Sequence, residues 1–274
     1  MRIVDCLTNA HNLALVALAA LICVLGSWIT VSLLKRVRST RSGTRAAWAF
    51  LGAVAGGATV WCTHFVAMIA YEPGIQVTYE PGLTGLSLFV AICGCGAAFL
   101  TASLRFNGSA LVGGALFGLT VAGMHFIGMA AFAVDAVIQW SSAYVAVAVA
   151  GSLLFGAASF KAEKLSTTAR GSGLAVLLMV LGIVILHFTA MSAMTILPFA
   201  PVEGALTGDD ARQAIAIGVA GVGLLVLGAG AASYVLDTQS RGQAEAVFST
   251  SSKAASTAWL SSAMASSSAP TPPC

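Results

Sequence analysis

Three segments of the chain share one pattern: THFVAM at residues 63–68, MHFIGM at residues 124–129 and LHFTAM at residues 186–191. Each copy has a histidine followed by phenylalanine, and then a small residue followed by methionine. The histidines are 61 and 62 residues apart. Because a fixed period is the sequence signature of an internal repeat, we expect three equivalent structural units that each carry one copy of the motif.

The composition around these copies is that of a membrane protein. Hydrophobic types make up 58% of the 274 residues, and charged types only 8%. Soluble globular domains carry about 25% charged residues. A soluble enzyme of this size could not cover its surface with so few charged residues. The net charge of +3 is too small to indicate nucleic-acid binding.

Seven runs are apolar and long enough to cross a bilayer as helices, which takes about 20 residues each. We place them at residues 11–34, 46–70, 83–104, 110–134, 142–160, 173–197 and 213–236. The predicted fold class is therefore all-α: a polytopic membrane protein with seven transmembrane helices. Three repeated helix pairs, each joined by a basic link, are followed by an unpaired seventh helix.

The links between the runs alternate in charge, which predicts the orientation. Eleven of the 13 basic residues fall on one side, including five in the 35–45 link, and only Arg2 and Arg212 fall on the other. By the positive-inside rule, the basic side is cytoplasmic. The N-terminus is then outside and the C-terminus inside, and the predicted location is the bacterial inner membrane.

The tail differs from the rest of the chain. Nine of the twenty residues 249–268 are serine, and the chain ends PTPPC. Such a composition cannot bury a core. We therefore divide the chain into a membrane domain at residues 1–240 and a Ser/Ala/Pro-rich, disordered cytoplasmic tail at residues 241–274.

The repeated motif carries a soft metal-ligand set. Each histidine lies near the outer end of an even-numbered span, and a methionine four residues later shares its helix face. Because these three spans run in the same direction, we expect the histidines at similar depth, where the three pairs could converge on the bundle axis around one or two ions. The pairs are His64–Met68, His125–Met129 and His187–Met191. Imidazole with thioether suits copper, Cu(I) in particular, better than Mg, Ca or Mn. Structural hydrogen bonding between helices and plain core packing are the alternative interpretations of the same residues.

Other residues of the spans are given weaker roles. Cys62 points away from His64 on a helix, so it is a poor ligand candidate. Trp61 is expected to line the same bundle as His64. The small pairs Gly52/Gly56 and Gly114/Gly118 predict close contacts between helices, and the six scattered cysteines suggest neither a zinc site nor a disulfide framework.

The motif copies, the seven spans and the external N-terminus resemble the MHYT domain, a bacterial integral-membrane sensor module named after Met-His-Tyr-Thr. The resemblance covers roughly residues 8–240 and includes the flanking segments VWCTHFVAMIAYEP, GLTVAGMHFIGMAAF and ILHFTAMSAM. The chain departs from the family's pattern at several positions. Phenylalanine replaces the tyrosine in all three copies, and the methionine before the histidine is kept only in the second copy, at Met124.

The resemblance implies copper binding near the outer membrane face and sensing of a diatomic gas such as O2, CO or NO. It implies the ligands His64, Met68, Met124, His125, Met129, His187 and Met191. Members of the family often carry a cyclic-diguanylate enzyme or a kinase after the seventh span. We expect no such domain after the seventh span here, so the resemblance implies a stand-alone member that signals through a separate cytoplasmic output protein.

We therefore expect a membrane sensor that responds to a gas, to redox state or to the metal itself. A copper transport or delivery protein is an alternative, although the cytoplasmic halves of the histidine-bearing spans show no second ligand layer. A small membrane oxidoreductase is a third reading. The chain is not expected to be an enzyme, because no nucleophile, paired carboxylate or phosphate loop stands out.

Overall fold

A computed structural model describes residues 11–40, 44–73, 77–134, 136–166 and 169–198, together with positions 213, 215–223, 228 and 230. Six helices in this part are long and apolar enough to cross a membrane, which confirms the first six predicted spans. They are α1 Leu13–Ser39, α2 Arg45–Ala70, α3 Pro81–Ala102, α4 Ser109–Ala131, α5 Ser142–Leu165 and α6 Ala169–Ala193.

The helices form a bundle in which sequence neighbours pack side by side, and α1 also contacts α6. Helix α2 is the most enclosed of these six helices, since 89% of its most apolar 18-residue stretch is buried. It also has the lowest mean hydropathy of the six, 1.5 against 1.8–2.6 for the others, as suits a helix that contacts neighbouring helices rather than lipid. The first copy of the histidine motif therefore lies on the innermost helix of the bundle.

In the part of the chain that the structure describes, four short strands lie near the ends of the even-numbered helices. Strand β1 (Val77–Tyr79) pairs with β2 (Phe132–Val134), and β3 (Ala136–Trp140) pairs with β4 (Met194–Pro198), both antiparallel. Strand β2 directly follows α4, and β4 directly follows α6. The strands therefore bring the carboxyl ends of α2, α4 and α6 to one end of the bundle, which we call the strand end.

The strands correct the predicted ends of two spans. The fourth and sixth predicted spans ran on to residues 134 and 197, whereas α4 ends at Ala131 and α6 at Ala193. Hydropathy cannot separate a short apolar strand from the last turn of an apolar helix. The predicted all-α class is confirmed, with two small two-stranded sheets added at one end of the described helices.

Close helix contacts occur at the predicted small residues. A Cβ on Gly114 would lie 2.3 Å from the carbonyl oxygen of Gly156, and one on Gly118 would lie 2.3 Å from that of Ser152. A Cβ on Gly52 would lie 2.4 Å from Cε2 of the Phe99 ring. Helices α4 and α5 therefore approach backbone to backbone, as small residues allow in membrane bundles.

The seventh predicted span lies only partly within the described residues. Residues 215–223 are helical, and the carbonyl oxygen of Val219 accepts a hydrogen bond from the Cys62 thiol at 3.7 Å. The rest of that span and the 241–274 tail lie outside the described residues. The inside and outside assignment of the two termini stays a prediction from the basic links.

Glu80 caps the start of α3. Its carboxylate accepts hydrogen bonds from the backbone N–H groups of Leu83 and Gly82, and these bonds lower the pKa of Glu80. Because the pKa is lower in the folded state, the Glu80 carboxylate contributes its full stability above the unfolded pKa of about 4.3. This contribution is lost as the pH falls through the folded pKa.

We expect Glu80→Ala to lower the apparent melting temperature slightly at neutral pH, because two backbone donors lose their acceptor. The difference in melting temperature from wild type should vanish in acid, because the wild-type Glu80 carboxylate is then protonated and no longer acts as a charged cap. Glu72→Ala is the control, because it removes an exposed carboxylate near the same end of the bundle. It should leave the melting temperature unchanged. A Glu80→Ala deficit that persists unchanged in acid would contradict the cap.

Candidate metal centre

Three equivalent helix positions carry the histidines. His64, His125 and His187 each lie six residues before the last residue of α2, α4 and α6. Because the strands hold these three helix ends together, the histidines lie at one depth in the bundle. All three are buried, with 3%, 1% and 6% of their surface exposed.

The three imidazoles meet at one point. The Nδ1 atom of His64 lies 3.2 Å from Nδ1 of His125 and 3.4 Å from Nδ1 of His187. The ring centroids are 4.8 Å, 5.5 Å and 5.4 Å apart, and each pair of rings is nearly perpendicular. One potential ligand atom from each residue lies within 4.8 Å of the others. The predicted convergence of the histidines is therefore confirmed.

Each motif phenylalanine stands edge-on to its own histidine. The ring centroids of Phe65, Phe126 and Phe188 lie 4.8–5.1 Å from those of the preceding histidines, at interplanar angles of 77–86°. Edge-to-face packing of this kind restricts how a ring can turn. The repeat thus holds three imidazoles in one orientation relative to their helices.

The imidazoles cannot satisfy one another. A neutral histidine has one N–H donor and one acceptor nitrogen. Three nitrogens that face a common point therefore cannot all be paired in hydrogen bonds with one another. The three Nε2 atoms are also buried without a hydrogen-bond partner among the described residues. Since buried polar atoms are normally paired, the cluster is suited to a ligand that accepts three lone pairs, as a metal cation does.

The predicted methionines occupy two different places. Met68, Met129 and Met191 are buried together with Val77 and Phe132, close to the strands. They lie one helical turn beyond the histidines, toward the strand end. Met124 is instead 1% exposed and borders a cavity beside the histidines. Their role as metal ligands stays a prediction.

A narrow cavity of about 240 Å³ adjoins the histidine cluster. Helix α1 forms one wall with Val16, Ala19 and Cys23, and the three histidines and Met124 contribute to the others. The lining is almost entirely apolar. The first span carries no copy of the motif, and the sequence pointed to it only through His11, the fourth histidine, at its outer end.

The remaining candidate residues lie outside the cluster. Cys62 faces Val219, in agreement with its low rank as a ligand. The indole of Trp61 donates a hydrogen bond to Ser87 Oγ at 3.0 Å and joins α2 to α3. His11 lies at the strand end, where it forms a backbone bridge with Tyr71 and packs against Phe188.

Gly128, the small residue of the second motif copy, positions His64. A Cβ at Gly128 would lie 2.6 Å from Nε2 and 3.0 Å from Cδ2 of the His64 ring. Any side chain there would push the imidazole out of its present place. The motif showed that a small residue recurs at this position, but not which histidine it contacts.

We expect Gly128→Ala to weaken metal binding by about tenfold or more, because residues that orient a ligand are worth 10–100-fold in affinity. Gly123→Ala on the same helix is the matched control, since its Cβ would meet only Val90, at 3.9 Å. The measurement is a metal titration of both purified variants. Equal affinities would contradict the role given to Gly128.

With this geometry in view, comparison with known proteins gives a consistent result. The sequence model of MHYT, described as a bacterial signalling protein N-terminal repeat, matches residues 57–115 and 118–179. An uncharacterized signaling protein of Caulobacter vibrioides is 37% identical over 210 residues, which cover 76% of this chain and 26% of that protein. No solved structure matches the chain.

Two relatives from Pseudomonas aeruginosa are named for cyclic di-GMP enzymes. The cyclic di-GMP phosphodiesterase NbdA is 31% identical over 76% of this chain and 28% of its own length. The bifunctional diguanylate cyclase/cyclic di-GMP phosphodiesterase MucR is 33% identical over 68% of this chain and 28% of its own length. The chain spans about a quarter of the length of these relatives.

Proposed function

The chain belongs to the MHYT family of bacterial signalling proteins, and from this premise we propose that it is a sensor of the inner membrane that binds copper. The stimulus would be a diatomic gas, redox state or the metal itself. The single observation that carries the proposal is the buried cluster of His64, His125 and His187, which offers three nitrogen atoms to one point.

The donor set fits a transition metal. Imidazole nitrogens suit zinc, copper, iron and nickel, whereas thioethers select copper(I) among these. Met124 borders the cavity beside the histidines, and three further methionines lie one turn away. Burial among apolar residues also favours a low-charge ion. His64, His125 and His187 would hold the ion, with methionine sulfur as the additional donor predicted from the sequence.

The cavity supports a small, uncharged ligand. Its volume of about 240 Å³ is several times the 30 Å³ that one water occupies in the liquid, and its walls are apolar. O2, CO and NO are uncharged and enter apolar cavities without losing strong hydration. Copper, when bound, would supply the electrons that such gases need for binding. The chain's own residues would supply the dry approach to it.

The signal would pass through the packing of the helices. The three histidines come from α2, α4 and α6, so any change in their spacing changes how these helices pack on one another. A stimulus shifts such an equilibrium only by its difference in affinity between the two arrangements. The chain itself would act as the sensor, and catalysis would belong to a cytoplasmic output protein that makes or degrades a signal, as the names of the relatives suggest.

The test uses the full chain purified from membranes in mild detergent. We expect about one copper per chain in the wild type, and an infrared band of carbon monoxide after reduction under that gas. The triple variant with His64, His125 and His187 changed to alanine should lose both. Copper content equal to wild type in that variant would overturn the metal site. Bound copper without any gas band would overturn gas sensing alone.

A further inference from the structure

A second cavity, of about 670 Å³, lies at the end of the bundle opposite the strands, which we call the basic end. It is a groove between α1 and the first turns of α6, lined by residues 28–39 of α1 and 172–176 of α6. It shares no lining residue with the metal centre. Neither the proposed function nor the histidine motif uses it.

One face of α1 forms most of the groove, and its chemistry changes along its length. Trp28 and Val31 line the half toward the middle of the bundle, and Val176 of α6 lies opposite. Lys35 and Arg36 line the half near the helix end. At 1.5 Å per residue, about 10 Å separates Trp28 from Lys35 along the axis. Three serines, Ser32, Ser39 and Ser172, complete the lining, and the Ser32 hydroxyl donates its hydrogen bond to the Trp28 carbonyl within α1. The groove is therefore mainly apolar at depth, and polar and cationic at its mouth.

The mouth of the groove has an excess of positive charge. Lys35, Arg36 and Arg38 lie within four residues on α1, and Glu163 of α5 is bonded to Arg38. Lys35 also acts electrostatically on that carboxylate, and Arg36 stacks over the ring of Trp48. Arg38 does not line the groove and is paired with Glu163. The lining itself carries the two cations Lys35 and Arg36 and no carboxylate, so the mouth is positively charged. The amino end of α6 adds the positive end of its helix dipole.

The groove is open toward the lipid. Trp28 is 65% exposed although it lies within an apolar span, and a Cβ on Gly173 would meet nothing within 4 Å. Within the described part of the chain, the exposed Trp28 ring and the open space beside Gly173 leave room for an acyl chain. Basic pockets between transmembrane helices at the cytoplasmic side commonly bind anionic lipid headgroups.

We propose that this groove binds one anionic phospholipid. Its phosphate lies against Lys35 and Arg36, and one acyl chain runs along Trp28, Val31 and Val176. A free phosphate or a soluble phosphate ester has the same headgroup chemistry. The 10 Å of apolar wall distinguishes the two, because only a lipid can cover it. The predicted orientation places the groove in the cytoplasmic leaflet, whose surface is anionic. The inference is independent of any metal.

The experiment measures lipid retention on the full chain by native mass spectrometry from detergent containing equal amounts of phosphatidylglycerol and phosphatidylcholine. The wild type should retain phosphatidylglycerol several-fold over phosphatidylcholine. Lys35→Gln should lower this preference about fivefold, the effect of one basic residue near an anionic surface. Gly173→Leu places a side chain in the groove at a position whose Cβ would meet nothing within 4 Å, and it should lower retention of the lipid by a similar factor.

Two matched controls separate a built site from general surface charge. Arg105→Gln removes a cation from the α3–α4 link at the same end, and Gly85→Leu adds the same side chain at another glycine with open space. Both should retain lipid like the wild type. Equal losses in Lys35→Gln and Arg105→Gln would overturn the proposal. So would full retention in Gly173→Leu, or complete displacement of the lipid by millimolar inorganic phosphate.

Discussion

Replacement of His125 by alanine is expected to weaken metal binding by more than about 100-fold. His125 is 1% exposed, and its Nδ1 atom lies 3.2 Å from that of His64 at the centre of the cluster. Residues that only orient a metal ligand are worth 10–100-fold in affinity, so loss of a ligand itself should exceed that range. Competition with a chelator of known copper affinity gives the dissociation constant.

The control is the fourth histidine of the chain. His11→Ala removes the same side chain at the strand end. His11 packs on Phe188 beside the cluster, but it is not part of the three-histidine group. This variant should keep wild-type affinity within a factor of about three. If His11→Ala and His125→Ala lost the metal to the same degree, or if neither did, the assignment of the cluster would be wrong. Helical content by circular dichroism shows that both variants remain folded.

Loss of Glu163 is expected to destabilise the bundle by about 3 kcal/mol, the lower part of the range for breaking a buried ion pair. Glu163 is 5% exposed and binds Arg38 of α1, which retains 19% exposure. In Glu163→Ala the guanidinium of Arg38 would stay partly buried without its carboxylate. We expect a clearly lower midpoint when the protein is unfolded by sodium dodecyl sulfate in mixed micelles.

Two variants test the cause of this effect. Lys161→Ala removes an exposed charge two residues away on α5 and should change the midpoint little. The double variant Arg38→Met/Glu163→Met removes both charges and should recover much of the loss, because apolar replacements of a buried pair are often neutral. A double variant as unstable as Glu163→Ala would show that the carboxylate acts through something other than Arg38.

Hydropathy and the repeat predicted much of this structure. Six spans are confirmed, and three motif copies at constant spacing predicted that His64, His125 and His187 would meet. This worked because three equivalent helices with the same direction must present equivalent residues at one depth. The repeat therefore carried tertiary information that a single histidine would not have carried.

Other features could not be predicted because they depend on contacts between distant parts of the chain. Arg38 and Glu163 are 125 residues apart, and nothing in either local sequence specifies the other as its partner. Strand β4 has the same apolar residues as a helix end, and only its pairing with β3 makes it a strand. The contact of Gly128 with the His64 ring likewise follows from how α2 and α4 cross.

X-ray absorption at the copper edge of the loaded, full-length protein tests whether the three imidazoles bind one ion. The expected spectrum shows the multiple scattering of histidine rings, which is lost when His64, His125 and His187 are all alanine. Copper bound by sulfur alone, or a spectrum that the triple replacement leaves unchanged, would contradict the three-histidine site.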